Sequence, residues 1–534
     1  MGKGQKTNVG QDEELLLTKK SNSAKAKKNN SAKKKREFPI FTVFCVVVGI
    51  LLTAFITQSV LENNGFYTKQ KVVMSVGDTS INAVEFSYFY NQTRNYYTSL
   101  YSQYGILKAD TDIKKTQCSF DTTKTWAEWF VDAAAEQLKQ TLYLYNEAEK
   151  AGLALTDEQK KSKDQMYESI DSVCKEYNIS RAAYFTRMYA NGFNEGDFER
   201  LAKISLMADA QQTSITGTYS YTDEQLQAYY EANKKTFDKY TYRSKAFSYT
   251  EFTEDSSKSA EENEAAKAAA EKSKADAEKN ANDFLALVSD ADSFKLAAYN
   301  LLTNDDKKKQ DEEKTDPTLT TDGSYSDNDK GNWLADTARA EGDKTVINDA
   351  SSKQFVVLYY ISSQRLEYNL ANLKHIQINI EDAKTEDTAT AEEKAKAEQE
   401  KKNEAKAKAD EVYNKFNETG ANEEAFNALV ADYTNDTNTA QTEGLIENVK
   451  KGTYGTAFDE WVFAADRKAG DCTIIELEGS YEVVFYLNAS TPCWKYDAET
   501  GKKNEDWSAY IEQLKTQYAE GLVYDEKNAK LTIA

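Results

Sequence analysis

Apolar positions along this chain follow three different patterns. Residues 38–60, FPIFTVFCVVVGILLTAFITQSV, form an uninterrupted apolar run without a charge. At 1.5 Å per residue such a run reaches about 34 Å as a helix, enough for a hydrocarbon core of about 30 Å. Residues 71–80, KVVMSVGDTS, read as a short strand and a Gly-Asp turn. From 81 to 236 apolar side chains recur every three or four positions. Val84, Phe86, Phe89, Tyr90 and Tyr97 make one broad helical face, and a long helix is predicted over 123–151. Thr156 with Gln159 and Thr222 with Gln225 are capping boxes, and Ser180 and Asn194 are further N-cap candidates.

Beyond 239 the pattern changes again, and it occurs twice. A strand from 240 (YTYRSKAFSYTEF) precedes a long Ala/Glu/Lys helix over 255–287, a short helix at 293–299 and an apolar strand at 354–361. A strand at 370–380 (LANLKHIQINI) precedes a similar helix over 385–417, a short helix at 425–433 and an apolar strand at 481–487. The offset is about 130 residues, too long for a solenoid repeat, so a duplicated domain is predicted. The Ala/Glu/Lys runs lack apolar heptads and read as solvated helices held by i,i+4 ion pairs, not as a coiled coil. A last helix over 504–518 carries Trp507, Tyr510, Ile511, Leu514 and Tyr518 on one face, a pattern suited to docking.

Charge orients the apolar run. Residues 1–37 hold eleven Lys/Arg against four Asp/Glu, a net of +7, and Lys33, Lys34, Lys35 and Arg36 abut the run. The positive-inside rule then puts residues 1–37 in the cytoplasm as a basic tail, 38–60 across the membrane as a single-pass anchor, and the rest outside. A cleaved signal peptide would have a shorter apolar core and a small-residue cleavage site, and neither is present. Cys45 follows Val and Phe near it rather than a lipobox. The chain carries −21, so the part beyond the tail carries −28, which argues against a nucleic-acid partner. Three prolines (Pro39, Pro317, Pro492) exclude a proline-rich stalk. Cys118, Cys174, Cys472 and Cys493 match no zinc spacing. Proximity would pair Cys118 with Cys174 and Cys472 with Cys493, and unpaired buried thiols are the alternative. With no EF-hand spacing either, no metal and no cofactor are expected.

Three stretches carry a family resemblance. Residues 71–91, a strand with a Val-Gly-Asp turn followed by INAVEFSYFYNQ, and 221–247, YTDEQLQAYYEANKKTFDKYTYRSKAF, resemble SurA/PrsA-like extracytoplasmic foldases. KHIQINI, then EGLIENVKKGTYGTAFDEWVFAADRKAGD (443–471), then YEVVFYL resemble a parvulin-type peptidyl-prolyl isomerase domain. The resemblance implies an α+β protein: a helical SurA-like domain at 61–238, completed by a returning 494–534 segment, and two parvulin-like domains with small antiparallel sheets at 239–366 and 367–493. It implies a bacterial, membrane-anchored foldase or chaperone that assists newly secreted, unfolded polypeptides.

Carried over residue by residue, the family's first histidine matches His375 and its Cys/Asp position matches Asp436. Tyr454 replaces the pocket Met, Phe458 matches the pocket Phe, and Phe463 lies nearby. Glu482 stands where the family has its second histidine. His375 is the chain's single histidine, so no two-histidine site can form, and the paired-glycine loop is reduced to Thr442-Glu443-Gly444-Leu445. The first repeat has Ala246 at the histidine position and Gln354-Phe355 on its closing strand, so it is expected to be catalytically empty. His375 can instead be a core histidine, Asp436 an Asx-turn residue, and the three aromatics packed core. Three functions therefore stand side by side: a holding chaperone, an isomerase working through His375, Asp436 and a Tyr454/Phe458/Phe463 slot, and a structural or adhesive surface protein using the same fold.

Overall fold

Polar caps decide where the helices begin. Asn82 accepts from the N–H groups of Val84 and Glu85 while Glu85 reaches back to the Asn82 N–H, starting the helix Ala83–Gln103. Ser180 caps Arg181–Met188, Asn194 caps Glu195–Thr216, and the Thr222/Gln225 box opens Asp223–Ala232. The two long Ala/Glu/Lys helices start later than the periodicity predicts, at Ala260 and Ala391. Capping boxes at Ser259/Glu262 and Thr390/Glu393 satisfy the orphan N–H groups there.

The computed structural model describes residues 64–108, 110–384 and 390–533. The predicted basic tail and the span 38–60 lie outside the described residues. Among the described residues no helix is long and apolar enough to cross a membrane. Cys118, Cys174, Cys472 and Cys493 are all free thiols, which decides between the two alternatives left by their spacing.

The described residues fall into two compact units. The first takes in residues 64–139, 159–203 and 523–533. Strand β1 (Val72–Val76) pairs antiparallel with β2 (Thr79–Asn82), and the short strand Leu522–Tyr524 adds to the other edge of β1. Its core is aromatic: Phe86, Tyr88, Trp126, Phe130 and Phe185 are almost fully buried, and Tyr88 and Phe185 both pack on the Phe198 ring.

The second unit takes in 140–158 and 204–522 and contains both repeats. Strands β3 (Lys239–Ser248), β4 (Leu319–Gly323), β5 (Lys344–Asp349) and β6 (Gln354–Gln364) form an antiparallel sheet in the order β4-β3-β6-β5. Strands β7 (Asn369–Asn379), β8 (Leu445–Val449), β9 (Cys472–Leu477) and β10 (Ser480–Pro492) repeat it in the order β8-β7-β10-β9. Registers correspond as well: Ala246 pairs with Val356 where His375 pairs with Val484.

In the second repeat Ile376, Ile378, Tyr481, Val483 and Phe485 face the helices Ala391–Glu418 and Glu423–Tyr433. Ala371, Leu373, Val484 and Tyr486 face the other way, onto Phe458 and Val462 of the short helix Thr456–Val462. The period of two along β7 and β10 makes this division. The predicted 504–518 helix is longer, Cys493–Tyr518, and follows directly from Pro492. It packs on Asp223–Ala232 through Ala498, Leu226 and Tyr230. Gly501 lies against the Tyr229 side chain, where a Cβ would stand 2.9 Å from the ring and the ring would have to shift.

Candidate functional site

His375 points from β7 to the face that carries Leu373 and Val484, away from the long helix. His375 is 6 % exposed, and a neighbouring strand and a loop furnish the partners of its ring. Glu482, from the neighbouring strand β10, places Oε2 2.8 Å from Nδ1. Asp436 and Thr439, from the loop after the helix Glu423–Tyr433, place Oδ2 at 3.1 Å and Oγ1 at 3.0 Å from Nε2. The Thr439 hydroxyl also donates to Asp436 Oδ2 at 2.7 Å, and the Ser480 hydroxyl donates to Glu482 Oε1 at 2.8 Å. Five side chains thus form one hydrogen-bonded chain through the histidine.

The backbone holds this loop close to the strand. The His375 N–H donates to Gly444 O at 2.9 Å, and the Gly444 N–H donates to Thr439 O at 2.8 Å. Gly444 has φ +74°, and a Cβ on it would stand 2.4 Å from the His375 carbonyl oxygen. One glycine of the eroded loop is therefore indispensable for steric reasons. On the opposite face of β7 the buried Lys374 ammonium meets Asn427 at 2.6 Å, Glu423 at 3.1 Å and Glu443 at 3.3 Å, fixing the residue just before Gly444.

Asp436 does make an Asx-type turn, accepting the Asn438 N–H at 2.9 Å through Oδ1, and it faces His375 with Oδ2. Burial works against its charged form, yet the Thr439 hydroxyl, the Asn438 N–H and His375 together hold its carboxyl below the usual range. Tyr454 is half-buried, its ring 4.7 Å from that of Phe458. Burial, followed by the charges of Glu482 and Asp436, raises the pKa of its phenol, so its hydroxyl lies in the field of the same cluster.

The predicted residues are not all equivalent. The structure brings together His375, Asp436 and Tyr454. Phe458 is 2 % exposed and belongs to the core beneath Tyr454, so it supports the pocket wall and is not an open face of it. Phe463 is half-buried and packs on Tyr368 at 5.5 Å, with the Lys451 ammonium over both rings. Glu482, Thr439 and Ser480 were not among the candidates. The sequence signal for the first and last was the period of two, which puts 480 and 482 on the face of β10 that looks toward His375.

In the first repeat the corresponding positions hold no such cluster. Ser248 pairs with Gln354 as Gln377 pairs with Glu482, and Ala246 occupies the histidine position. A cleft of about 590 Å³ is lined there by Ser244, Ala246, Gln354 and Val356, with Asp349 and Ser351 at its side.

Residues 375–487 match the sequence model of the rotamase family, described as a PPIC-type PPIase (peptidyl-prolyl isomerase) domain. The matched segment begins at His375 and ends on β10, so it contains every member of the cluster. No curated protein matches the chain. One similar solved structure comes from work describing PEB4 and Cj1289 as two structurally related SurA-like chaperones of Campylobacter jejuni. It is 14 % identical, with a TM-score of 0.16, and covers 68 % of this chain and 85 % of that one.

Proposed function

We propose, from the PPIC-type domain matched over 375–487, that the chain is a membrane-anchored extracytoplasmic foldase in which this domain accelerates cis–trans exchange of X–Pro bonds. The observation that carries the reading is the His375–Asp436–Thr439 cluster beside Tyr454. It is a preorganised polar group next to an aromatic wall, in the domain whose family performs this reaction.

Prolyl isomerisation needs no nucleophile. The amide loses resonance as its C–N bond twists, and a barrier of about 18–20 kcal/mol slows the uncatalysed X–Pro exchange to tens to hundreds of seconds. A protein accelerates it by favouring the twisted amide over the planar one. Here the half-buried Tyr454 ring offers an apolar contact for the pyrrolidine, backed by Phe458. The Thr439 hydroxyl and the His375 ring offer oriented dipoles in a site largely shielded from water, where such dipoles act strongly.

The holding function rests on the first unit. Tyr96, Tyr104 and Phe120 are more than half exposed there, with Tyr96 against the Tyr97 ring and Phe120 against those of Tyr101 and Trp129. Aromatic faces of this kind bind exposed apolar segments of unfolded chains with little specificity. The apolar run 38–60 and the basic residues before it support anchoring, with the acidic body on the outer side.

A proline tetrapeptide isomerisation assay on the purified full-length protein tests the catalytic part. Turnover lost in His375→Ala supports it. Absence of turnover in the unmodified protein, with aggregation of a reduced client still suppressed, leaves a chaperone without isomerase activity.

A further inference from the structure

We infer that Glu482 is a positioning residue which, paired with Asp436, clamps the His375 ring through both nitrogens and keeps a proton on each. The inference rests on the reading of this pocket as an isomerase site. It assigns a role to the position where the family carries its second histidine and this chain carries a carboxylate.

Hydrogens must be found for two short contacts. His375 Nδ1 lies 2.8 Å from Glu482 Oε2, and Nε2 lies 3.1 Å from Asp436 Oδ2. An ionised carboxylate can only accept. Each of these contacts therefore needs a hydrogen on the nitrogen, or on the carboxylate itself. Other donors nearby cannot provide it. The Ser480 hydroxyl is spent on Glu482 Oε1, and the Thr439 hydroxyl, at 2.7 Å, on Asp436 Oδ2. Thr439 Oγ1 is then left as an acceptor toward Nε2 at 3.0 Å, which again asks for an N–H there.

With both acids ionised, the ring carries two protons and the trio has a net charge of −1. With both acids ionised, a neutral ring would leave one carboxylate oxygen facing a nitrogen lone pair, an arrangement that costs free energy in a poorly hydrated site. Asp436 is the acid less able to take the proton, since its carboxyl is held low by its own hydrogen bonds.

The surroundings agree. Among the described residues, the charged or titratable groups shown to meet the ring or its carboxylates are Glu482 from β10, Asp436 from the loop and Tyr454 ahead of the Thr456–Val462 helix. The cation next in sequence, Lys374, lies on the opposite face with Glu423 and Glu443. Nothing cationic among these groups competes with the ring for the two carboxylates. Glu482 is 4 % exposed, so its carboxylate is shielded from water and interacts strongly with the ring. A second histidine at this position could accept from Nδ1 but would bring no charge. The carboxylate accepts the same hydrogen and adds charge, which fixes the ring plane and makes His375 a permanent donor toward the Asp436–Thr439 side.

Because His375 is the single histidine of the chain, one spectrum decides the matter. Two-bond ¹H–¹⁵N correlation of histidine-labelled full-length protein in detergent, at neutral pH, reads the protonation of each ring nitrogen. Both nitrogens protonated is the expected result. A ring with one proton in the unmodified protein overturns the inference, whether or not the protein turns over peptide. Two variants give mirrored outcomes. Glu482→Gln should leave a neutral ring protonated at Nε2, and Asp436→Asn a neutral ring protonated at Nδ1. A Glu482→Gln spectrum identical to the unmodified one also overturns it. The tetrapeptide assay on the same samples separates the two claims. No turnover with a doubly protonated ring sinks the isomerase reading and leaves the clamp standing. If turnover is present, Glu482→Gln should lower kcat about tenfold with KM little changed, and Glu482→Asp should recover part of it. An unchanged kcat in Glu482→Gln overturns the positioning role.

Discussion

The Arg467 guanidinium lies 3.8 Å from the centre of the Trp461 ring, and the same pair recurs in the first repeat, where Arg339 lies 4.0 Å from Trp333. The copies agree in detail. Each arginine donates through Nε to the carbonyl of its tryptophan, at 2.9 Å and 3.1 Å. Each also pairs through Nη1 with an aspartate four residues on, Asp471 at 3.0 Å and Asp343 at 3.2 Å. The stacked planar cation closes the loop between the short helix and the last hairpin in both domains.

Arg467→Ala should therefore destabilise the second domain by about 1–3 kcal/mol, combining a partly buried cation–π contact with a charged hydrogen bond. Arg467→Lys should recover less than half of this, because an ammonium cannot stack and donate to both partners at once. Urea titration of the full-length protein, followed by tryptophan fluorescence, measures it. An unchanged midpoint would show that the stacking contributes nothing.

Gly444→Ala is the second test. A left-handed backbone and a Cβ 2.4 Å from the His375 carbonyl cannot coexist, so the loop bearing Asp436 and Thr439 must move away from β7. Loss of about 1–3 kcal/mol is expected from the strain alone. Proteolytic cleavage between 434 and 444 should appear at protease concentrations that leave the unmodified protein intact.

The third test is pH. Asp436 has a carboxyl held below its ordinary range in the folded state. Such a group contributes stability that is fully present above the unfolded value, about 3.9, and is lost as pH falls through the folded value. Asp436→Asn should flatten the stability profile on the acid side, below about pH 4. Denaturant midpoints collected from pH 2 to pH 7 compare the two.

Thiol chemistry gives the fourth. Cys118, Cys174, Cys472 and Cys493 are free, and burial pushes the Cys472 thiol up to about 12. Cys472 should resist alkylation in the native protein at pH 8, since the thiolate is the reactive form. After denaturation without reductant all four should react, which peptide mass mapping reads directly. A disulfide-linked peptide joining any two of them would contradict the free-thiol state.

Much of this molecule was legible from one dimension. The period-two runs at 240, 354, 370 and 481 became central strands, and the two Ala/Glu/Lys helices formed where their capping boxes stand. The edge strands β4, β5, β8 and β9 and the short helices Asp329–Leu334 and Thr456–Val462 were not resolved as elements. They are short, and their pairing with β3, β6, β7 and β10 is a long-range event that local periodicity does not encode. The same applies to the site. His375 and Asp436 were marked by resemblance, yet Glu482 was marked only as a missing histidine. Its role depends on a strand register linking positions 107 residues apart.

The sequence by itself determined the duplication and the poverty of the first copy, because residue types and their spacing are local facts. It also determined that any histidine chemistry must pass through His375, the only one present. Tertiary structure alone decided that a carboxylate stands on each side of that ring, that Phe458 is wall support and not an open surface, and that Gly444 must remain a glycine. Those outcomes depend on angstrom-scale distances between segments far apart in the chain, and only folding sets them.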